Sequence, residues 1–187
     1  CYEPWRIARD DRLKRYLIQA GFEVYSTNGS LLWEPWEISK KDGSAYKVFT
    51  PFYKRGCLSA ESPRKPLPVV KNILLSPADI ESNELDELGL LPKNEWHRSV
   101  KTCWDISEKA ASEQLEVFIQ NGLTDYMERR NFPAKQGVSR LSPYLHFGQI
   151  SPHKVWHRVE CEVDRTSKDL NQNIEHFFRE LGWREFS

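Results

Sequence analysis

The sequence predicts an α/β edge followed by an all-α region, with a long connector between them. Three observations predict it. A helical pattern over residues 4–20 passes through Gly21 into the alternating segment Phe22-Glu23-Val24-Tyr25, which is one helix-to-strand step of a layered α/β domain. Pro63, Pro66 and Pro68 then fall within six residues, a spacing that favours an extended, polyproline-like course. From Asp105 onward, apolar residues recur at helical spacing between start and stop signals. The divisions are 1–35, 36–104 and 105–187.

Pro4 suits the first position of the opening helix and Gly21 its far end. Ile7, Ala8, Leu13, Tyr16, Leu17 and Ala20 form its apolar stripe, and Asn28-Gly29 marks a turn after the strand. One strand makes no sheet, so the remainder of that domain is expected before Cys1. In the connector, Thr50 reads as an N-cap with Pro51 at the first helical position. Ser76-Pro77 and Leu91-Pro92 bracket a short acidic helix at 77–88, and the whole stretch reads as an ordered linker lying across a larger surface. Asp105-Ile106-Ser107-Glu108 has the form of a capping box. Ala110, Ala111, Leu115, Phe118 and Ile119 follow it, and Asn121-Gly122 stops that helix. Ser142-Pro143 opens a helix to about His146, Ser151-Pro152 one to about Cys161, and a final helix runs from about Leu170 to Ser187.

The formal charge is zero, so no global basic signal points to nucleic acid, although a local basic groove is compatible with balance. Cys1, Cys57, Cys103 and Cys161 have no metal-site spacing and read as scattered thiols. There is no apolar run of membrane-spanning length and no leader, so a soluble, cytoplasmic chain is expected. The absence of G-x-S-x-G, P-loop and G-x-G-x-x-G patterns leaves hydrolase, NTPase and dinucleotide-fingerprint readings without support. A first residue other than methionine and an uncapped last helix suggest an internal fragment of a longer protein.

Four constellations carry chemistry. In Gly137-Val138-Ser139-Arg140-Leu141-Ser142-Pro143, hydroxyls and an arginine precede a proline-started helix. That arrangement fits a phosphate cradle or an ordinary capped helix. Glu180, Trp183 and Arg184 lie within one helical turn. They fit a face that bonds, stacks on and neutralises a flat polar ligand, or a surface ion pair beside a core indole. Arg129-Arg130 is a basic pair able to meet phosphates or solvent. His153 and His157 have zinc-ligand spacing but no acidic third ligand, and read as surface or interface histidines with no metal. Trp5, Trp33, Trp36, Trp96, Trp104 and Trp156 read as packing residues.

Three segments together resemble the DNA photolyase/cryptochrome family. Ser139 to Gly148 with Ile150-Ser151-Pro152 and Val155-Trp156 is similar to its S-R-L-S-P-Y-L…F-G…S-P segment. Glu180 to Phe186 is similar to its E-L-x-W-R-E-F segment, and Tyr46 to Phe52 to Y-x-V-F-T-P-F. The match resembles most a class I photolyase acting on cyclobutane pyrimidine dimers, with a cryptochrome-type photoreceptor or a (6-4) photolyase as alternatives.

The resemblance implies a Rossmann-like antenna domain, a connector and an all-helical FAD-binding domain, each only partly contained here. It implies FAD as cofactor, with Tyr126, Val138, Ser139, Arg140, Leu141, Ser142, Phe177, Glu180 and Arg184 as its binding residues. Val138 stands where threonine is common, and Phe177 where tryptophan is. A second, folate- or deazaflavin-type antenna chromophore is implied too. Damaged DNA is the implied partner of a monomeric protein with no membrane contact, met by Arg130, Glu180, Trp183 and Arg184. Glu180 and Trp183 are the implied catalytic pair, one bonding the lesion's base edges and the other stacking on it. The implied reaction is light-driven electron donation from reduced FAD. The family's remaining FAD contacts would lie beyond Ser187, so residues 1–187 alone are expected to bind FAD weakly and to be inactive.

Overall fold

A computed structural model describes residues 3–75, 81–90, 94–164 and 166–186. Helix α1, Pro4–Gln19, starts at a proline and ends before Gly21, whose φ of 87° closes it. None of its residues is buried, so the apolar stripe is exposed in this chain. The strand expected at Phe22–Tyr25 does not form, and no strand occurs among the described residues. A strand needs a ladder partner, and both Phe22 and Tyr25 face solvent.

The connector does not simply cross a surface. Its Ile38, Phe49, Tyr53 and Cys57, with Leu32 and Trp33 just before it, are buried in the same apolar cluster as the helical region. Trp33 donates from Nε1 to the Glu61 carbonyl at 2.8 Å and meets Trp156 edge to face at 5.5 Å. Helix α2, Phe49–Pro51, winds on through a π turn, Phe52–Gly56, and a 3-10 turn, Cys57–Ser59. Val48, not Thr50, is its N-cap. Starting two residues earlier buries Phe49 and keeps Pro51 within the first turn, where its missing N–H costs nothing. The acidic helix expected at 77–88 falls partly outside the described residues. Its described end is a 3-10 turn, Leu85–Leu88, closed by Gly89.

Helix α3 is Arg98–Cys103 and helix α4 Glu108–Asn121. Ser107, not Asp105, caps α4 by accepting from the Ala110 N–H, while the Asp105 carboxylate accepts from the Ser107 N–H. Ala111, Leu115, Phe118 and Ile119 form its buried stripe. Helices α5 (Tyr126–Arg129), α6 (Ser142–His146) and α7 (Pro152–Glu160) follow, with Ser151 capping α7 through the Lys154 N–H. Arg158 on α7 grips Glu116 on α4 with two guanidinium nitrogens at 2.8 and 2.7 Å, a bidentate pairing that fixes both helices. Helix α8, Lys168–Phe186, packs on α5, α7 and the π turn. Asn173, buried in its middle, accepts from the Met127 N–H at 2.7 Å and so fastens α8 to α5.

Trp33 and Trp156 are packing residues and Trp104 is partly so, but Trp5, Trp36 and Trp96 are exposed. Burial there depends on neighbours that spacing cannot reveal. Gly182 of α8 faces the Tyr53 ring so closely that a Cβ would lie 2.5 Å from it. Gly182→Ala gains about 1 kcal/mol of helix propensity against an overpacking cost of about 1–3 kcal/mol. A net loss of about 1 kcal/mol is expected in chemical denaturation, and the same substitution in a Tyr53→Leu background should be neutral or stabilising.

Candidate functional site

Helix α8 places Phe177, Glu180, Leu181 and Arg184 along one side of a cavity of about 930 Å³. Tyr126 of α5 and Phe177 meet edge to face at 5.5 Å and 84°, with Phe118 packed behind Phe177 at 4.8 Å. The lead-in to α6 contributes Ser139, Leu141 and Ser142, and the N-terminal region contributes Arg6 and Leu31. Arg140 explains the α6 side. Its φ of 54° is left-handed, the one such non-glycine value among the described residues. This reversal sets Ser139 and Leu141 on the cavity, while Val138 and Arg140 line a separate cleft of about 150 Å³. Gln114 holds the bend by donating from Nε2 to the Ser139 carbonyl at 3.0 Å. A non-glycine residue persists in that conformation only where its surroundings impose it.

The site's charges are paired across helices. Glu180 bonds the Arg130 guanidinium rather than Arg184, and both partners stay about one-third exposed. That bond raises the Arg130 pKa further above its already high value. Arg130 also lies over the Tyr126 ring at 5.5 Å, and burial raises the Tyr126 phenol. Arg184 donates to Glu185 Oε1 at 2.9 Å. Trp183 does not line the cavity: its ring stacks on Phe49 at 3.8 Å and 10°.

The expected residues therefore separate into groups. Tyr126, Ser139, Leu141, Ser142, Phe177, Glu180 and Arg184 share the cavity; Val138 and Arg140 lie beside it; Arg130 joins through Glu180; and Trp183 belongs to the aromatic seam with the connector. His153 and His157 diverge. His153 is buried within the chain rather than at the surface or interface expected of it, and burial lowers its pKa to about 4. His157 Nε2 lies 2.8 Å from the Pro63 carbonyl. Sequence reasoning missed Glu185. Its side chain is 2% exposed, accepts from the Leu32 and Trp33 N–H groups, and has its pKa raised by burial to about 7. Phe49 and Gly182 were also unassigned, although both stand inside the quoted motifs.

A family model described as DNA photolyase matches residues 1–71. A deoxyribodipyrimidine photo-lyase of Agrobacterium fabrum (strain C58 / ATCC 33970) is 36% identical over 187 residues, covering 99% of this chain and 38% of its own length. Cryptochrome-2 of Arabidopsis thaliana is 33% identical over 197 residues, covering 100% of this chain and 32% of its own. The crystal structure of a bacterial class III photolyase from Agrobacterium tumefaciens superposes with a TM-score of 0.86 at 34% identity, covering 100% of this chain and 38% of that one. The chain belongs to the DNA photolyase/cryptochrome family. It spans between about a third and two-fifths of these relatives' lengths. The solved neighbour is a class III photolyase, not the class I type that the motifs most resemble. For a photolyase-family chain, the shared cavity and the seam between connector and α8 are the two features that need a chemical reading. No helix among the described residues is long and apolar enough to cross a membrane.

Proposed function

We propose that this chain forms part of a light-dependent DNA repair enzyme acting on cyclobutane pyrimidine dimers, and that its cavity holds part of FAD. One observation carries the reading: aromatic, hydroxyl and guanidinium groups converge on a single cavity of about 930 Å³, beside an exposed indole on the same helix. The donor set fits the cofactor. Tyr126 and Phe177 offer an apolar aromatic wall, Ser139 and Ser142 offer hydroxyl donors, and Arg6 and Arg184 offer positive charge. Cofactor sites are mostly apolar with a few such convergent polar groups.

Reduced flavin bound there would supply the electron that splits the dimer. The chain's own groups do the rest. Phe177 and Tyr126 would wall the bound ring and exclude water from it. Glu180 presents a carboxylate to the N–H edges of the extruded bases. Trp183 stacks on them, and Arg130 meets a flanking phosphate. A damaged pair is already poorly stacked, which lowers the cost of extrusion.

The test is the affinity for an oligonucleotide carrying one thymine dimer against its undamaged twin. A preference for the damaged strand is expected, and Trp183→Ala should reduce damaged-strand affinity about tenfold while leaving the undamaged affinity in place. Equal affinity for the two strands in both proteins would defeat the reading. The cryptochrome match supports a photoreceptor as second reading. It predicts no preference for the damaged strand over its undamaged twin.

A further inference from the structure

The stack between Trp183 and Phe49 joins parts of the chain that sequence reading placed in separate divisions. Phe49 opens α2 in the connector, and Trp183 sits near the end of α8. Their rings are nearly parallel with centroids 3.8 Å apart, a face-to-face contact closer than the roughly 4.5–7 Å usual for aromatic pairs. Phe49 is buried and has little room to turn, whereas Trp183 is 43% exposed. Phe186 closes the arrangement by meeting Phe49 at 5.9 Å and Trp183 at 5.8 Å, both edge to face. Tyr53 also stacks on Phe49, at 5.6 Å, and fills the space that Gly182 leaves open.

A flat ring has two faces. When a rigid neighbour covers one, a base can stack only on the other, and the angle of that stack is set by the neighbour. An exposed tryptophan without such backing samples several rotamers and loses entropy on capture. The glycine at position 182 lets α8 approach the connector closely enough for the rings to meet.

We propose that Phe49 is a positioning residue for lesion recognition: it fixes the plane of the Trp183 indole, so the connector, through the Phe49–Tyr53–Phe186 seam, sets how a damaged base pair is received. The inference rests on the reading that Trp183 stacks on the lesion, and it adds a residue outside the helical region to that function.

The experiment compares Phe49→Leu, Phe49→Tyr and Trp183→Ala in the full chain, measuring affinities for a thymine-dimer oligonucleotide and its undamaged twin. Far-ultraviolet circular dichroism checks helicity at the assay temperature, and Phe49→Met replaces Phe49→Leu should the latter fail to fold. Phe49→Leu keeps apolar bulk but removes the ring. It is expected to lower the damaged-to-undamaged preference about two- to tenfold, with undamaged affinity unchanged, while Phe49→Tyr keeps the preference. If Trp183→Ala lowers the preference and Phe49→Leu leaves it intact, the positioning role is overturned and the stacking role of Trp183 stands. Equal losses in Phe49→Leu and Phe49→Tyr would also overturn it, since volume rather than the ring would then matter. If Trp183→Ala itself leaves the preference intact, the underlying reading of the site is what fails.

Discussion

Glu185→Gln is expected to make the protein more stable than wild type above pH 7 and equally stable below about pH 4.5. The Glu185 carboxylate accepts from the Leu32 N–H at 2.7 Å, the Trp33 N–H at 3.4 Å and the Arg184 guanidinium at 2.9 Å. These bonds favour the ionised form, but burial outweighs them and raises the pKa from 4.5 to about 7. Its charge helps push the nearby Cys57 thiol up to about 12, after burial itself. The folded state thus holds the Glu185 proton more tightly than the unfolded chain does. The stability this contributes is full below pH 4.5 and is lost as pH rises through 7, to about 3 kcal/mol. Glutamine still accepts from Leu32 and Trp33 but carries no charge. Its amide cannot accept from Arg184, which is partly exposed and can turn to water. A gain of roughly 1–3 kcal/mol at pH 8 is therefore expected, measured as the difference between the two proteins in denaturant titrations at pH 4.5 and 8. A difference that stays constant with pH would refute the account. The substitution also alters the cavity wall, because Arg184 would lose the anion that now orients it.

Glu185 shows where sequence reading stops. The acid stands in the quoted E-L-x-W-R-E-F segment, yet its burial is decided by Leu32 and Trp33, 153 and 152 residues earlier. No local pattern carries that information. Helices α1, α4, α7 and α8 were legible because period, proline and serine caps, and stop signals are local. The strand at 22–25 was over-read because alternation supplies the faces of a strand but not its partner. The connector was read as a surface linker from its prolines, whereas Phe49 and Tyr53 fill a notch against Gly182 that exists only once α8 is in place. The cavity residues were legible through motif resemblance rather than spacing. Glu180 and Arg184 suggested a mutual i,i+4 pair, but each bonds a different partner. Val138 and Arg140 sit off the cavity because a left-handed residue reverses the backbone there, and nothing in an arginine announces that conformation.

The pairing of Arg130 with Glu180 yields the last expected result: Arg130→Ala and Glu180→Ala should weaken DNA binding in different ways. Without DNA, the group proposed for phosphate and the group proposed for base edges satisfy each other, each about one-third exposed. An ion pair this accessible to solvent contributes about 0–1 kcal/mol. A charge-assisted bond to a phosphate or a base edge contributes about 1.5–3 kcal/mol. Opening the pair is therefore favourable when DNA supplies new partners to both groups. Arg130→Ala should lower affinity about tenfold for damaged and undamaged strands alike, and reduce the slope of log affinity against log salt by about 1. Glu180→Ala should lower affinity for the damaged strand alone, with the salt slope unchanged, because a base-edge contact releases no phosphate counterion. The released Arg130 should leave undamaged binding equal or slightly stronger. Anisotropy titrations from 50 to 200 mM salt, a range over which about 6–10 phosphate contacts shift affinity by orders of magnitude, separate these outcomes. Equal weakening of both strands by Glu180→Ala would instead mean that Glu180 serves only to hold Arg130 in place. In that case lesion recognition would rest on Trp183 and the aromatic seam behind it.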